Sequence, residues 1–132
     1  MYKSWLICLV IFMVAAGFAG AAEKGALDGK SFVGETGEKG KEKGDKDELI
    51  FADGKFRSTG CDQYGFTAVP YATKKEGGSI SFEAHSTSEK EGTIHWTGKV
   101  TGDDCEGTFV WSKPGQKDIE YWFKGALEKA SN

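Results

Sequence analysis

Apolar and polar residues alternate along this chain in short runs, and turn-forming residues separate the runs. Ile94, Trp96, Gly98 and Val100 fall on one face of a strand pattern, with Thr93, His95, Thr97, Lys99 and Thr101 on the other. Phe109 and Trp111 oppose Thr108 and Ser112, and Ile119, Tyr121 and Phe123 oppose Glu120 and Lys124. A period of two with one polar face marks antiparallel strands buried on one side. It predicts strands at Leu27–Val33, Glu48–Ala52, Lys55–Thr59, Gly65–Lys74, Ser79–His85, Thr93–Thr101, Glu106–Ser112 and Ile119–Ala126. No helical period is sustained between them, which excludes a βαβ sheet. The pattern leaves room for a short helical turn at Glu23–Ala26 or at the C-terminus. The fold class is all-β: eight antiparallel strands close into an up-and-down barrel and leave no exposed edge.

The connections sort by length. Asp53-Gly54, Glu76-Gly77-Gly78 and Gly102-Asp103-Asp104 are tight, whereas Gly34–Asp47, Gly60–Tyr64, Ser86–Gly92 and Lys113–Asp118 are longer. In a meander these two sets lie at opposite ends, so one end is pinned and the other is a mouth. A rigid wall that positions long loops is the usual arrangement of a ligand-carrying barrel. The first of these loops is rich in Gly, Lys and Glu; it reads as a solvated segment or a mobile lid over the mouth. Its glycines do not make a phosphate cradle, since no strand-to-helix transition follows and its acidic residues repel phosphate. Asp45, Asp47 and Glu48 lack the spacing of a calcium loop.

Ahead of the strands lies an apolar leader. Lys3 supplies a positive start, Leu6–Val14 is apolar, and 15–22 is small-residue sequence apart from Phe18. With an Ala19-Gly20-Ala21 box this reads as a secretory signal peptide over 1–22, followed by a single barrel domain over 23–132. The rival, an uncleaved anchor over 5–22, sits at the lower length limit for a span and has a weakly apolar second half. The mature protein is then periplasmic or secreted and has no membrane span.

Without the leader, 16 Lys+Arg stand against 20 Asp+Glu, and Arg57 is the only arginine. That balance argues against nucleic acid, which calls for a clustered basic surface. Glycine makes up 17 of the 110 remaining residues and concentrates at turns, as a chain of short hairpins requires.

Gly29-Lys30-Ser31-Phe32-Val33-Gly34, Phe51-Ala52-Asp53-Gly54-Lys55-Phe56, Ser58, Cys61 and Tyr64-Gly65-Phe66 are similar to small exported bacterial proteins of unassigned function. The architecture resembles the calycin group of lipocalin-like and avidin-like barrels. Trp96-Thr97-Gly98, with Trp111 and Trp122, is similar to the tryptophans of avidin-like barrels. The chain departs from both families: the lipocalin Gly-x-Trp signature is absent, as is the polar set that grips biotin. The resemblance therefore implies a fold and carries over no binding residue.

An eight-stranded barrel has room for side chains or for one small ligand. Phe51, Phe56, Phe66, Phe82, Trp96, Phe109, Trp111, Tyr121 and Phe123 are expected inside, each burying ~150–250 Å². They fill most of the interior and exclude a long acyl chain. The expected function is non-enzymatic binding of a small apolar or amphipathic ligand at the mouth. Tyr64, Phe66 and Tyr71 would stand near the ligand, with Trp96 and Trp111 as the wall below. The alternative is a solid-core envelope module whose partner is a protein. No cofactor is implied and no catalytic residue is assigned. His85 and His95 occupy outward faces, where solvent-facing strands routinely carry His and Glu, and no metal site is assigned; should Glu83 lie opposite His95, the three would form a polar patch whose donors suit zinc or copper. No nucleophile or orienting carboxylate accompanies either histidine.

Two cysteines in an exported domain ordinarily suggest a disulfide. Here Cys61 follows the third strand and Cys105 precedes the seventh, which places them at opposite ends. A strand spans roughly 20 Å, whereas bridged Cα atoms lie within about 7 Å, so the meander opposes a bridge. For the leader, N-terminal sequencing of exported protein should begin within a residue or two of Ala22. A chain that begins at Met1 and is extracted only by detergent would contradict cleavage.

Overall fold

The structure is a computed structural model and describes residues 25–128. The proposed leader lies outside the described residues. Eight strands follow one another: β1 Lys30–Glu38, β2 Asp45–Ala52, β3 Lys55–Ser58, β4 Val69–Glu76, β5 Ser79–Ser88, β6 Gly92–Thr101, β7 Asp104–Ser112 and β8 Ile119–Leu127. A 3-10 turn, Thr59–Tyr64, follows β3. Each strand pairs antiparallel with its neighbours in sequence, and β1 pairs with β8 from Phe32↔Leu127 to Glu38↔Tyr121, closing the barrel. All eight expected strands are present, in up-and-down order. Among the described residues no helix is long and apolar enough to cross a membrane.

Boundaries shift at several places: the expected Gly65–Lys74 strand starts only at Val69, β7 starts two residues early at Asp104, and three further shifts change the loops and the N-terminal segment. The expected first loop, Gly34–Asp47, is mostly strand: β1 runs to Glu38 and β2 begins at Asp45, with the register Thr36↔Asp45 and Gly34↔Asp47. Only residues 39–44 turn the chain, and they are anchored. Trp122 Nε1 donates to the Lys41 carbonyl at 2.9 Å, Lys39 N donates to the Glu120 carbonyl, and Lys39 pairs with Glu120. The expected Ser86–Gly92 loop shortens to 89–91, because β5 continues to Ser88. Leu27 and its neighbours are not strand. Residues 25–29 form turns that fold across the tight-turn end, where Leu27 is fully buried as a plug.

Interior positions follow the alternation. Phe32, Leu49, Phe51, Phe56, Phe82, Trp96 and Phe123 are essentially inaccessible to solvent. Their rings form a continuous column. Phe51 contacts Tyr71, Phe82 and Phe56 at centroid distances of 4.9, 5.0 and 5.3 Å. Phe56 meets Trp96 at 5.0 Å, Trp96 stacks on Phe109 at 4.0 Å, and Phe109 stacks on Tyr121 at 4.8 Å. Edge-to-face and offset pairs of this kind add roughly 0.5–1.5 kcal/mol each beyond the area they bury. Room for the rings comes from glycine: a Cβ built on Gly98 would stand 2.4 Å from the Phe82 ring lying across it.

Two substitutions test this interior. Trp96→Ala should cost about 3–5 kcal/mol, the range for large aromatic truncation in a core. Gly98→Ala should cost about 1–3 kcal/mol by overpacking against Phe82. Guanidinium unfolding midpoints measure both, and wild-type midpoints in either variant would contradict the ring column.

Candidate functional site

β3 is only four residues long, and the chain leaving it does not turn straight into β4. It runs through the 3-10 turn and 65–68, and β3 and β4 share only the pairs Lys55↔Pro70 and Phe56↔Val69. This long connection forms one side of the mouth and is tied down at several points. Outside, Arg57 grips Asp62 through both Nε and Nη2, with contacts of 2.6–3.1 Å. Gly65 closes the turn at φ +88°, its N–H donating to the Asp62 carbonyl. The Ser88 hydroxyl donates to the Tyr64 carbonyl at 2.8 Å.

The inner tie is Asp47. It follows the inward alternation of β2, Asp47-Leu49-Phe51, and is only 3 % exposed. Its carboxylate accepts from the Ser58 hydroxyl at 2.8 and 2.9 Å, from Gly60 N–H at 2.8 Å and from Glu48 N–H at 2.7 Å. Burial pushes the Asp47 carboxyl above its ordinary value, against the lowering effect of the Gly60, Ser58 and Glu48 donors. Sequence reasoning assigned Asp47 to a solvated loop. The available signal was its spacing of two and four residues from Leu49 and Phe51, which continues the inward face of the strand.

Above this carboxylate lies a cavity of about 620 Å³, within the ordinary size range of small-molecule sites. Phe66, Ile94, Phe109, Trp111 and Tyr121 supply its apolar lining. Asp47, Cys61, Gln63 and Tyr64 reach it from the Asp47 side, and Glu38, Lys41, Lys43 and Lys46 from the β1–β2 hairpin. Trp111 is fixed by donation from Nε1 to the Glu91 carbonyl, while Lys113 holds the Glu91 carboxylate at 3.0 Å. The Cys61 thiol is pushed up to about 11, chiefly by burial, which keeps it protonated at neutral pH.

Of the expected ligand-facing residues, Tyr64, Phe66 and Trp111 line this cavity. Tyr64 stands at its rim, 52 % exposed. Trp96 lies beneath, stacked under Phe109, and does not line it. Tyr71 belongs to the other end: its hydroxyl donates to Asp28 Oδ1 at 2.7 Å and accepts from Leu27 N–H at 3.0 Å. The same Asp28 carboxylate accepts from Gly54 N–H in the tight turn after β2. The physical reason is the late start of β4 beside Phe56, which sets Tyr71 low in the barrel. Phe109 and Tyr121, expected only as core, are cavity walls.

The histidines lie on the outer wall. His85 is directly opposite His95, and Glu83 is opposite Thr97 rather than His95. Cys61 and Cys105 are both free, as the meander requires.

The fold is thus an eight-stranded closed antiparallel barrel with one open mouth, compatible with a calycin-like barrel. No protein-family model, curated protein or solved structure matches the chain.

Replacing Asp47 by Ala removes the acceptor of the Ser58 hydroxyl and two backbone N–H groups, at an expected cost of about 2 kcal/mol. The pH dependence has a definite sign. A carboxyl raised by folding stabilises fully below its unfolded value of 3.8, and that contribution is lost as pH rises through the folded value. The Tm of wild type relative to Asp47→Asn should therefore fall as pH rises from about 4 to about 7. A difference that grows with pH would contradict a desolvated carboxylate.

Proposed function

We propose that this chain is an exported, non-enzymatic barrel that binds a small apolar or amphipathic molecule at its long-loop mouth. The observation that carries this reading is the cavity over Asp47, walled by Phe66, Phe109, Trp111 and Tyr121. Sites of this kind combine a mostly apolar wall with a few fixed polar groups that orient the ligand. The column beneath limits ligand length: Phe56, Trp96 and Phe109 fill the barrel axis below the cavity. A compact ring system fits where a long acyl chain does not. The protonated Cys61 and the placement of both histidines outside the cavity support binding over catalysis. Export rests on the leader read from the sequence.

A second reading is favoured by the filled lower barrel: a solid module that contacts an envelope protein through its loops. Native mass spectrometry of protein from its source separates the two, since a co-purifying small molecule supports the first and a clean apo mass the second.

Titration with the fluorescent probe 1-anilinonaphthalene-8-sulfonate tests the location. Tyr121→Ala should weaken binding roughly tenfold, equivalent to about 1.4 kcal/mol. Thr97→Ala, on the outer wall, should leave it unchanged. Equal affinity in wild type and Tyr121→Ala, with circular dichroism unaltered, would remove the mouth from consideration.

A further inference from the structure

The outer wall of β5 and β6 carries a cluster that the mouth does not use. His85 and His95 face each other across the strands with rings stacked at 4.1 Å and only 10° apart. Glu83 sits two residues before His85 on the same face, diagonal to His95. Its Oε2 lies 2.8 Å from His95 Nε2 and 3.9 Å from His85 Nε2, so both imidazoles converge on one carboxylate oxygen. The three donor atoms all lie within 4.8 Å of one another.

From this arrangement the geometry points to a binding site for a divalent first-row transition metal, with His85 Nε2, His95 Nε2 and Glu83 Oε2 as ligands. Two imidazoles and one carboxylate form the donor set of zinc and copper sites, and they leave positions open for water. Tetrahedral zinc with Zn–N bonds of about 2.0–2.1 Å places its ligands ~3.3 Å apart. The stacked rings lie in near-parallel planes, so ligation requires at least one imidazole to swing out of the stack until both ring planes meet at the ion. Solvent on the outer wall gives the rings room to do so, with 69 % of the His85 side chain and 44 % of the His95 side chain exposed.

The surroundings favour a cation. Among the described residues, the ion pairs of Glu83 are with these two histidines, and neither Lys nor Arg competes for it. Ala72 and Val110 stand opposite Glu83 and His95 on the flanking strands, small enough to leave the site open. A metal ion satisfies both imidazole lone pairs and the carboxylate at once. The strand register sets the three residues side by side on one face, so only side-chain torsions remain to be ordered on binding.

Isothermal titration of protein free of any histidine tag, with Zn²⁺ and then Cu²⁺, tests the site. One equivalent should bind, with Cu²⁺ tighter than Zn²⁺. Cu²⁺ paramagnetic resonance should show coupling to imidazole nitrogens. Loss of even a ligand's supporting hydrogen bond weakens metal sites roughly 10–100-fold. Each of His85→Ala and His95→Ala should therefore lose at least about tenfold in affinity. Glu83→Gln should also weaken Zn²⁺ while leaving imidazole coupling in the Cu²⁺ spectrum. These side chains are on the solvent face, so the variants should unfold at the wild-type midpoint. No saturable binding, or unchanged affinity in either histidine variant, would overturn the site.

Discussion

Everything in this barrel depends on the pairing of its first and last strands. β1 and β8 are far apart in sequence, and the register from Phe32↔Leu127 to Glu38↔Tyr121 turns an open meander into a closed wall. The seam demands close backbone approach. A Cβ on Gly34 would lie 1.9 Å from the Lys124 carbonyl oxygen, so only hydrogen fits where β1 crosses β8. Closure removes the unpaired edges that an isolated sheet would expose. It also fixes the interior volume, and that volume decides how many rings fit.

Two consequences follow at the two ends. At the tight-turn end the interior is sealed by Leu27, with Tyr71, Asp28 and Gly54 joined by hydrogen bonds beneath it. At the other end the short β3 leaves wall to be completed by irregular chain. Irregular chain needs partners for its backbone groups. Asp47 supplies them from inside and Arg57–Asp62 braces the turn from outside. The cavity is thus bounded by chain that specific bonds hold in place.

Much of this was legible in the residues. β5 to β8 declare themselves through alternating Phe, Trp, Ile and Thr, since one face meets the core and the other meets water. The β1–β2 hairpin hid its strands because Gly34, Thr36, Asp45 and Asp47 replace apolar residues on the inward face. A polar pocket lining looks like a loop to any reading based on hydropathy. Tyr71 was misplaced because loop length alone does not reveal that the chain descends the wall before β4 begins. The His85–His95 contact turned on a register that neither strand states by itself.

Amide chemical-shift mapping during titration with 1-anilinonaphthalene-8-sulfonate is the most direct test of a barrel that is solid below and receptive above. A mouth site predicts saturable shifts at Gly60–Phe66, Ile94, Trp111 and Tyr121, with none at Gly54 or Gly77 in the tight turns. Shifts concentrated at the tight-turn end or along the outer wall would contradict it.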